Sequence, residues 1–538
     1  MYIDKLSYQA LNLKEIDELI QPISALGRSY RQEAKLFTVG MEKNANLQYQ
    51  IVEKLMNCLQ DKYDFWETAK NALLHLEPVH NIVQRAAELK TLEIFEIYEV
   101  KNFLYFSGLI KNLLEKYQLE SIHRIPNFQE LFSFLDKDGQ RSPSFHLSTL
   151  YSAKYGEVTS KISTCNNRLN HEMTQLLEKA KIELEVNEIE DRIVVSRYNQ
   201  ELNIKLQASD CFSLESENFA NNTYRLRKND SILRIEQELD MLRYEQTLEE
   251  KAIRVEITKV ISVYRTDLEL ALQEVAAFDL ALVKADFGNK YNCTIPDISS
   301  EDKISIRSAV NLPIAVELKK NGLIFQPLDL DFEKNINVLT GANMGGKTTI
   351  LKLLGQCAYM VAHSIPLPCN SAKVPLVDFI YFSGLQSNRM DLSSFGSEVV
   401  AVDEALKRDG MGLFLLDEFA RGTNPQEGEA FSSAILMAFE NKEAICFAAT
   451  HFSLPATLKQ AAHYRIRGIR AIQVENLQSN SSLETRLQEL HRYMDYSLER
   501  VEAGAEPPRS ALMIASLLGV GDKIIDCAKQ FLEDSNKE

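Results

Sequence analysis

Between Glu157 and Phe287 the chain contains neither glycine nor proline, a run of 131 residues in a polypeptide of 538. Those two residue types punctuate turns and break helices, so a stretch without them predicts long helix. The rest behaves oppositely, because 16 of the 21 glycines stand at or after Gly288. The division predicts a helical N-terminal half and a turn-rich α/β C-terminal half, in a chain too long for one core. Ile162, Cys165, Leu169, Met173, Leu176 and Ala180 recur at spacings of three and four, which makes one apolar stripe on a helix. A second helical stretch, about Asp230 to Phe287, would reach roughly 87 Å if unbroken. That is more than a globular domain buries, so it predicts an arm or lever, with a compact all-α domain as the plainer alternative. Between the two, IVVSRYNQELNIKL is alternating and rich in β-branched residues, which predicts a small strand-containing tip over about 192–225.

Charge and cysteine usage narrow the setting. The formal net charge of −16 counts against a large nucleic-acid footprint, since phosphate neutralisation needs cations. Arg192, Arg197, Lys205, Arg225, Arg227 and Lys228 around the tip are nevertheless candidate backbone contacts, or else solvated surface. None of the eight cysteines sits in a C-x-x-C pair, so neither a zinc site nor a disulfide framework is indicated. No signal peptide and no apolar run of membrane-spanning length is visible, and the expected location is cytoplasmic, with no membrane partner.

The chemistry concentrates in the C-terminal half. NINVLTGANMGGKTTILKLL fits G-x-x-x-x-G-K-[ST] at Gly341, Gly346, Lys347 and Thr348, with strand-like INVLT before it and a helical run after. Glycines let successive backbone N–H groups line one anion cradle, and the helix adds its positive end. Lys347 would reach the β- and γ-phosphates, and Thr348 would offer its hydroxyl to Mg²⁺. MGLFLLDE, Met411 to Glu418, is an apolar strand ending in two carboxylates. Asp417 would join the Mg²⁺ shell and Glu418 would polarise the attacking water. AICFAATH, Ala444 to His451, is a buried strand ending in a histidine placed to sense the γ-phosphate. Each feature has a structural reading of its own, but three such strand ends in this order predict a nucleotide site.

This constellation resembles the MutS family. GANMGGKTT is similar to its phosphate loop, with Ala342, Asn343, Met344 and Gly345 as cradle residues and Thr349 beside Thr348. IFQPLDLDF, Ile324 to Phe332, resembles the segment that helps enclose the adenine. DLSSFGSEV, Asp391 to Val399, resembles the signature segment; LDEFARGTNPQEGEAF and ATHF resemble the carboxylate and histidine motifs. The resemblance implies a multidomain chain: an α-helical lever/clamp region, then an α/β P-loop NTPase of ABC type like MutS domain V, closed by a C-terminal helix pair (Arg509 to Asp534). The corresponding boundaries are a helical core over 1–155, a lever and clamp arm over 156–287, an ATPase domain over 288–505 and a dimerisation element over 506–538. It also implies ATP and Mg²⁺ as cofactors. A homodimer, or a heterodimer with a MutS-like chain, would follow, with Ser393 (or Ser394) completing the partner's site.

The departures shape the function. No mismatch-reading phenylalanine wedge and no C-terminal nuclease domain is recognisable, and Ala342, Ser394 and Gly396 replace the family's usual proline, threonine and methionine. One expectation is an ATP-dependent DNA clamp of repair or recombination type. The alternative is a protein-remodelling ATPase, such as a reactivase of a radical aminomutase. An SMC-like ATPase fits poorly, because SSFGSE does not match the S-G-G-Q signature of that class.

Overall fold

The computed structural model describes residues 1–299, 303–341, 346–383, 394–469, 494–502, 512, 514–515 and 520–535. The chain forms two compact units: Met1–Leu74, Leu113–His123 and Val275–Glu538 make one, His75–Asn112 and Arg124–Glu274 the other.

In the second unit the helices Ala153–Leu184 and Asp230–Val263 pack along one another. The stripe seen in the sequence is the reason. Cys165, Ile162 and Leu169 meet Ile235, Leu239 and Leu242, while Met173, Leu176 and Ala180 turn into a separate small core. That core belongs to an antiparallel sheet of β1 (Arg192–Ser196), β2 (Phe212–Glu217) and β3 (Asn221–Leu226), in the order β1-β3-β2. Tyr224, fully buried, anchors it and donates to Asn203 Oδ1 at 2.9 Å. The second long helical stretch is interrupted. Helix Asp230–Val263 ends at Tyr264, whose N–H bonds back to Ile261, three residues earlier, and a new helix Arg265–Lys290 begins. The long stretch is therefore two rods joined at a one-residue break.

The first unit is built on a six-stranded sheet. Among the described residues its strands are β4 (Asp297–Ser299), β5 (Ile304–Ala309), β6 (Leu328–Phe332), β7 (Ile336–Thr340), β8 (Ser371–Pro375), β9 (Phe379–Ser383), β10 (Gly412–Asp417), β11 (Ala444–Ala449), β12 (Ala462–Ile469) and β13 (Met494–Val501). The order is β13-β12-β7-β11-β10-β9, parallel except for β13. A four-stranded sheet, β4-β8-β5-β6, accompanies it. Strands buried on both faces read as continuous apolar runs, and these do. Leu413 and Leu415 of β10 enter one core with the helix Lys347–Ala362, and Phe414 and Leu416 enter the core on the opposite face. β11 repeats the alternation with Ile445 and Phe447 against Cys446 and Ala448.

The N-terminal residues complete this unit. Ile380 of the edge strand β9 donates its N–H to Tyr2 O at 2.8 Å, and Phe382 donates its own to Ser7 Oγ at 3.0 Å. Polar groups of an otherwise open sheet edge are thereby satisfied within the chain. Tyr2 also donates to Ala358 O, and Gln356 to Leu11 O, so the same segment is laced to the helix Lys347–Ala362. Of the expected C-terminal pair, the helix Asp522–Ser535 is seen; most of 509–519 lies outside the described residues. Among the described residues no helix is long and apolar enough to cross a membrane.

Asp279, on the helix Arg265–Lys290, is fully buried and accepts from Ile23 N at 2.9 Å, Ser24 N at 2.8 Å and Ser24 Oγ at 2.6 Å. Truncation would strand these donors away from water. Asp279→Ala should lower the stability of this unit by about 2–3 kcal/mol in chemical unfolding; a loss below about 0.5 kcal/mol would mean the donors find other partners.

Candidate active site

Three neighbouring strands of the parallel sheet, β7, β11 and β10, deliver charged groups at their carboxyl ends, where open α/β sheets bind ligands. β7 leads through Gly341 to Gly346 and the helix Lys347–Ala362. Gly346 has φ +90°, and a Cβ there would lie 2.9 Å from the ring of Tyr496, so backbone angle and space both demand glycine. Ala342, Asn343, Met344 and Gly345 lie outside the described residues.

Lys347, the first residue of that helix, is 5% exposed. Its ammonium donates to Gly341 O at 2.8 Å and stands 3.1 Å from His451 Nε2. Burial pushes its pKa down to about 8, which Asp417 only partly offsets. One residue on, Thr348 Oγ1 donates to Asp417 Oδ2 at 2.8 Å. The other carboxylate oxygen of Asp417 is buried and has no hydrogen-bond partner, and burial raises this carboxyl above its ordinary value. Thr349 follows in the same helical turn, half-buried.

Glu418 follows at φ +51°, its N–H bonded to Ala449 O at the end of β11. One of its side-chain oxygens is 2.9 Å from His451 Nε2, and the other is held by Arg421. His451 is pushed down to about 4 by burial, with the Lys347 and Arg421 cations adding, so its ring is neutral near pH 7. A neutral ring has one role per nitrogen. Nε2–H can donate to Glu418, or bare Nε2 can accept from Lys347, but not both at once. A cavity of about 740 Å³ opens beside the carboxylates, lined by Asp417, Glu418, Arg421 and Gly422 together with Ser383, Phe395 and Glu398.

The sequence-predicted residues Gly341, Gly346, Lys347, Thr348, Asp417, Glu418 and His451 thus converge on one place. Ser393 lies outside the described residues; the helix Ser394–Leu406 begins directly after it, and Phe395 packs edge-on against Phe431 at 5.5 Å. Sequence reasoning did not find the contacts of Arg421 with Glu418, of Tyr496 over Gly346, or of Glu398 with the carboxylate loop. No spacing rule marks them, since each reaches its partner through the fold. The donor set bears on a Mg²⁺ nucleotide. A desolvated ammonium, a hydroxyl and a carboxylate with an unpartnered buried oxygen fit it well. The six tip cations are another matter. Arg192 and Arg225 pair with Glu215, Arg197 with Glu217, Lys205 with Glu201 and Lys228 with Glu236, while Arg227 donates to Phe212 O.

Parallel strands that end in a lysine-bearing loop and in carboxylates form a nucleotide-binding α/β domain, here within a mixed helical and α/β chain. The family model for MutS domain V, an ATPase domain, matches residues 337–535, so this part of the chain carries a domain of the MutS family. The chain is 23% identical over 475 residues to Endonuclease MutS2 of Fusobacterium nucleatum subsp. nucleatum, covering 86% of this chain and 58% of that protein. It is 24% identical over 542 residues to Endonuclease MutS2 of Caldicellulosiruptor bescii, covering 98% and 64% respectively. The chain therefore spans about three fifths of the length of these relatives.

Behind the carboxylate loop there is no free space. A Cβ on Gly428 would lie 2.5 Å from Ala420 O, a backbone atom. Gly428→Ala should displace the loop and cost about 1–3 kcal/mol in chemical unfolding; an unchanged midpoint would show that the loop yields freely.

Proposed function

We propose that this chain is a Mg²⁺-dependent ATPase that works as a dimer and uses nucleotide binding to operate a clamp on DNA. The observation that carries the reading is the meeting of Lys347, Thr348, Asp417, Glu418 and His451 at adjoining strand ends, with a buried ammonium beside a carboxylate whose buried oxygen has no hydrogen-bond partner. In this reading Gly341 to Gly346 supply backbone N–H groups to the phosphates, with Thr349 in the following helical turn. Lys347 neutralises charge on the β- and γ-phosphates. Thr348 and Asp417 hold Mg²⁺, which when bound offsets the negative charge of the phosphate oxygens. Glu418 orients and polarises the attacking water. Once Lys347 turns to an anionic oxygen, His451 Nε2 keeps its proton for Glu418, so the histidine reports on the γ-position through its choice of partner. Ser393 completes the partner subunit's site.

The DNA target is supported by the name of the relatives, which describes endonucleases. Five of the six tip cations pair with glutamates of the same unit, so a clamp of this kind would grip the backbone weakly, with shallow salt dependence.

Lys347→Ala should abolish nucleotide binding. Glu418→Gln should bind ATP with near-parent affinity and lose about 100-fold or more in kcat; turnover at the parent rate would remove Glu418 from its role. The pH dependence has a definite sign. The protonated fraction of Lys347 falls as pH rises through about 8 in the nucleotide-free protein. ATP binding must then take up a proton, so affinity should fall by up to about tenfold per pH unit above that point. Flat affinity from pH 7 to 10 in a fluorescent-nucleotide titration would contradict the assignment.

A further inference from the structure

Glu398 lies in the second turn of the helix Ser394–Leu406, just past the signature serine. Its carboxylate bridges two other elements. One oxygen accepts from Ser383 Oγ, at the end of β9, at 3.2 Å. The other accepts from the backbone N–H of Ala420 at 3.2 Å. Ala420 has φ +65° and Glu418 φ +51°, so the loop carrying the carboxylates has two side-chain-bearing residues in the left-handed region within three positions. Such backbone persists only where its surroundings fix it. From the far side the loop is fixed by the helix Pro425–Ala438: Gly428 abuts Ala420 O, and Ser432 Oγ donates to Phe419 O at 3.3 Å. From the near side it is fixed by Glu398. Phe395, one turn before Glu398, packs against Phe431 of that same helix. The signature helix and the carboxylate loop are thus one mechanical piece, joined by the Glu398 side chain.

We propose that Glu398 is a positioning residue for ATP hydrolysis: it ties the signature helix to the Ala420 amide and so sets the pose of Glu418. The inference rests on the ATPase reading given above. Its consequence is that a movement of the signature helix, whose serine would engage the partner's nucleotide, is passed to the carboxylate of its own site. Two adjacent sites in a dimer would then be coupled through one hydrogen bond. Burial lifts the Glu398 carboxyl above its ordinary value, and the donors from Ala420 and Ser383 pull it back. Both donors accordingly act on the charged form.

The test uses the full chain, with Mg·ATP affinity read by a fluorescent ATP analogue and turnover read by phosphate release. Glu398→Ala should leave Kd within about threefold of the parent and lower kcat by about tenfold or more, because geometry is lost while the phosphate contacts stay. Glu398→Gln, whose amide oxygen still accepts from Ala420 N–H, should restore kcat to within about threefold. Ser383→Ala removes one hydroxyl and provides a second reading should Glu398→Ala fail to fold; kcat should fall by about threefold with Kd unchanged. Parent-like kcat in Glu398→Ala or in Ser383→Ala overturns the inference, as does a Gln variant as slow as the Ala variant. A parent chain that binds no Mg·ATP would overturn the ATPase reading and this inference with it, whereas a parent that turns over normally beside an equally active Glu398→Ala would overturn the inference alone.

Discussion

Asp417 ends an apolar strand with one carboxylate oxygen on Thr348 and the other buried without a partner. The Lys347 side chain is buried too, with its ammonium donating to Gly341 O and 3.1 Å from His451 Nε2. Desolvated charges are costly, and the fold tolerates them only because rigid elements enforce them. The enforcing elements are β7, β11 and β10, whose parallel register brings Leu339 level with Ala449 and Ala449 level with Asp417. The rest of the unit serves that register. Two apolar cores clamp the sheet from both faces, and the N-terminal segment closes its edge.

The same logic extends to the far end of the phosphate-loop helix. Lys284, on the helix Arg265–Lys290, donates to His363 O at 2.6 Å and to Ser364 Oγ at 3.1 Å, directly after Ala362. A cation there complements the helix dipole, yet burial pushes this lysine down to about 7. Asp279, five residues earlier on the same helix, caps the chain at Ser24. The phosphate-loop helix is therefore held at its start by the site and at its end by a buried amine. Anything that shifts it in response to ligand must act against both.

Much of this was legible in the sequence, for physical reasons that differ by element. The apolar runs LFLLD and AICFAA announce buried parallel strands because both faces need hydrophobic residues, and the structure places them side by side. The stripe from Ile162 to Ala180 announces its helix, because 3.6-residue periodicity survives without tertiary context. The break at Tyr264 left no mark, since no glycine or proline makes it. The membership of residues 1–74 in the nucleotide unit was equally silent: helical periodicity says that a face is buried, not against what. Glu398 carries no mark in the sequence, because its partners lie 15 and 22 residues away. The compensation of the tip arginines depends on strand pairing that sets Arg225 beside Ser213 and Arg192 beside Arg225, which composition cannot reveal.

The central claim is that the Thr348–Asp417 pair and the buried Lys347 exist to receive a metal-bound triphosphate. Titration calorimetry of the full chain with ATP, in Mg²⁺ and then in excess chelator, tests it most directly. The account predicts saturable binding with Mg²⁺ that weakens by about tenfold or more when the metal is withheld. Absence of saturable binding in both conditions, or identical affinity in the two, would contradict it.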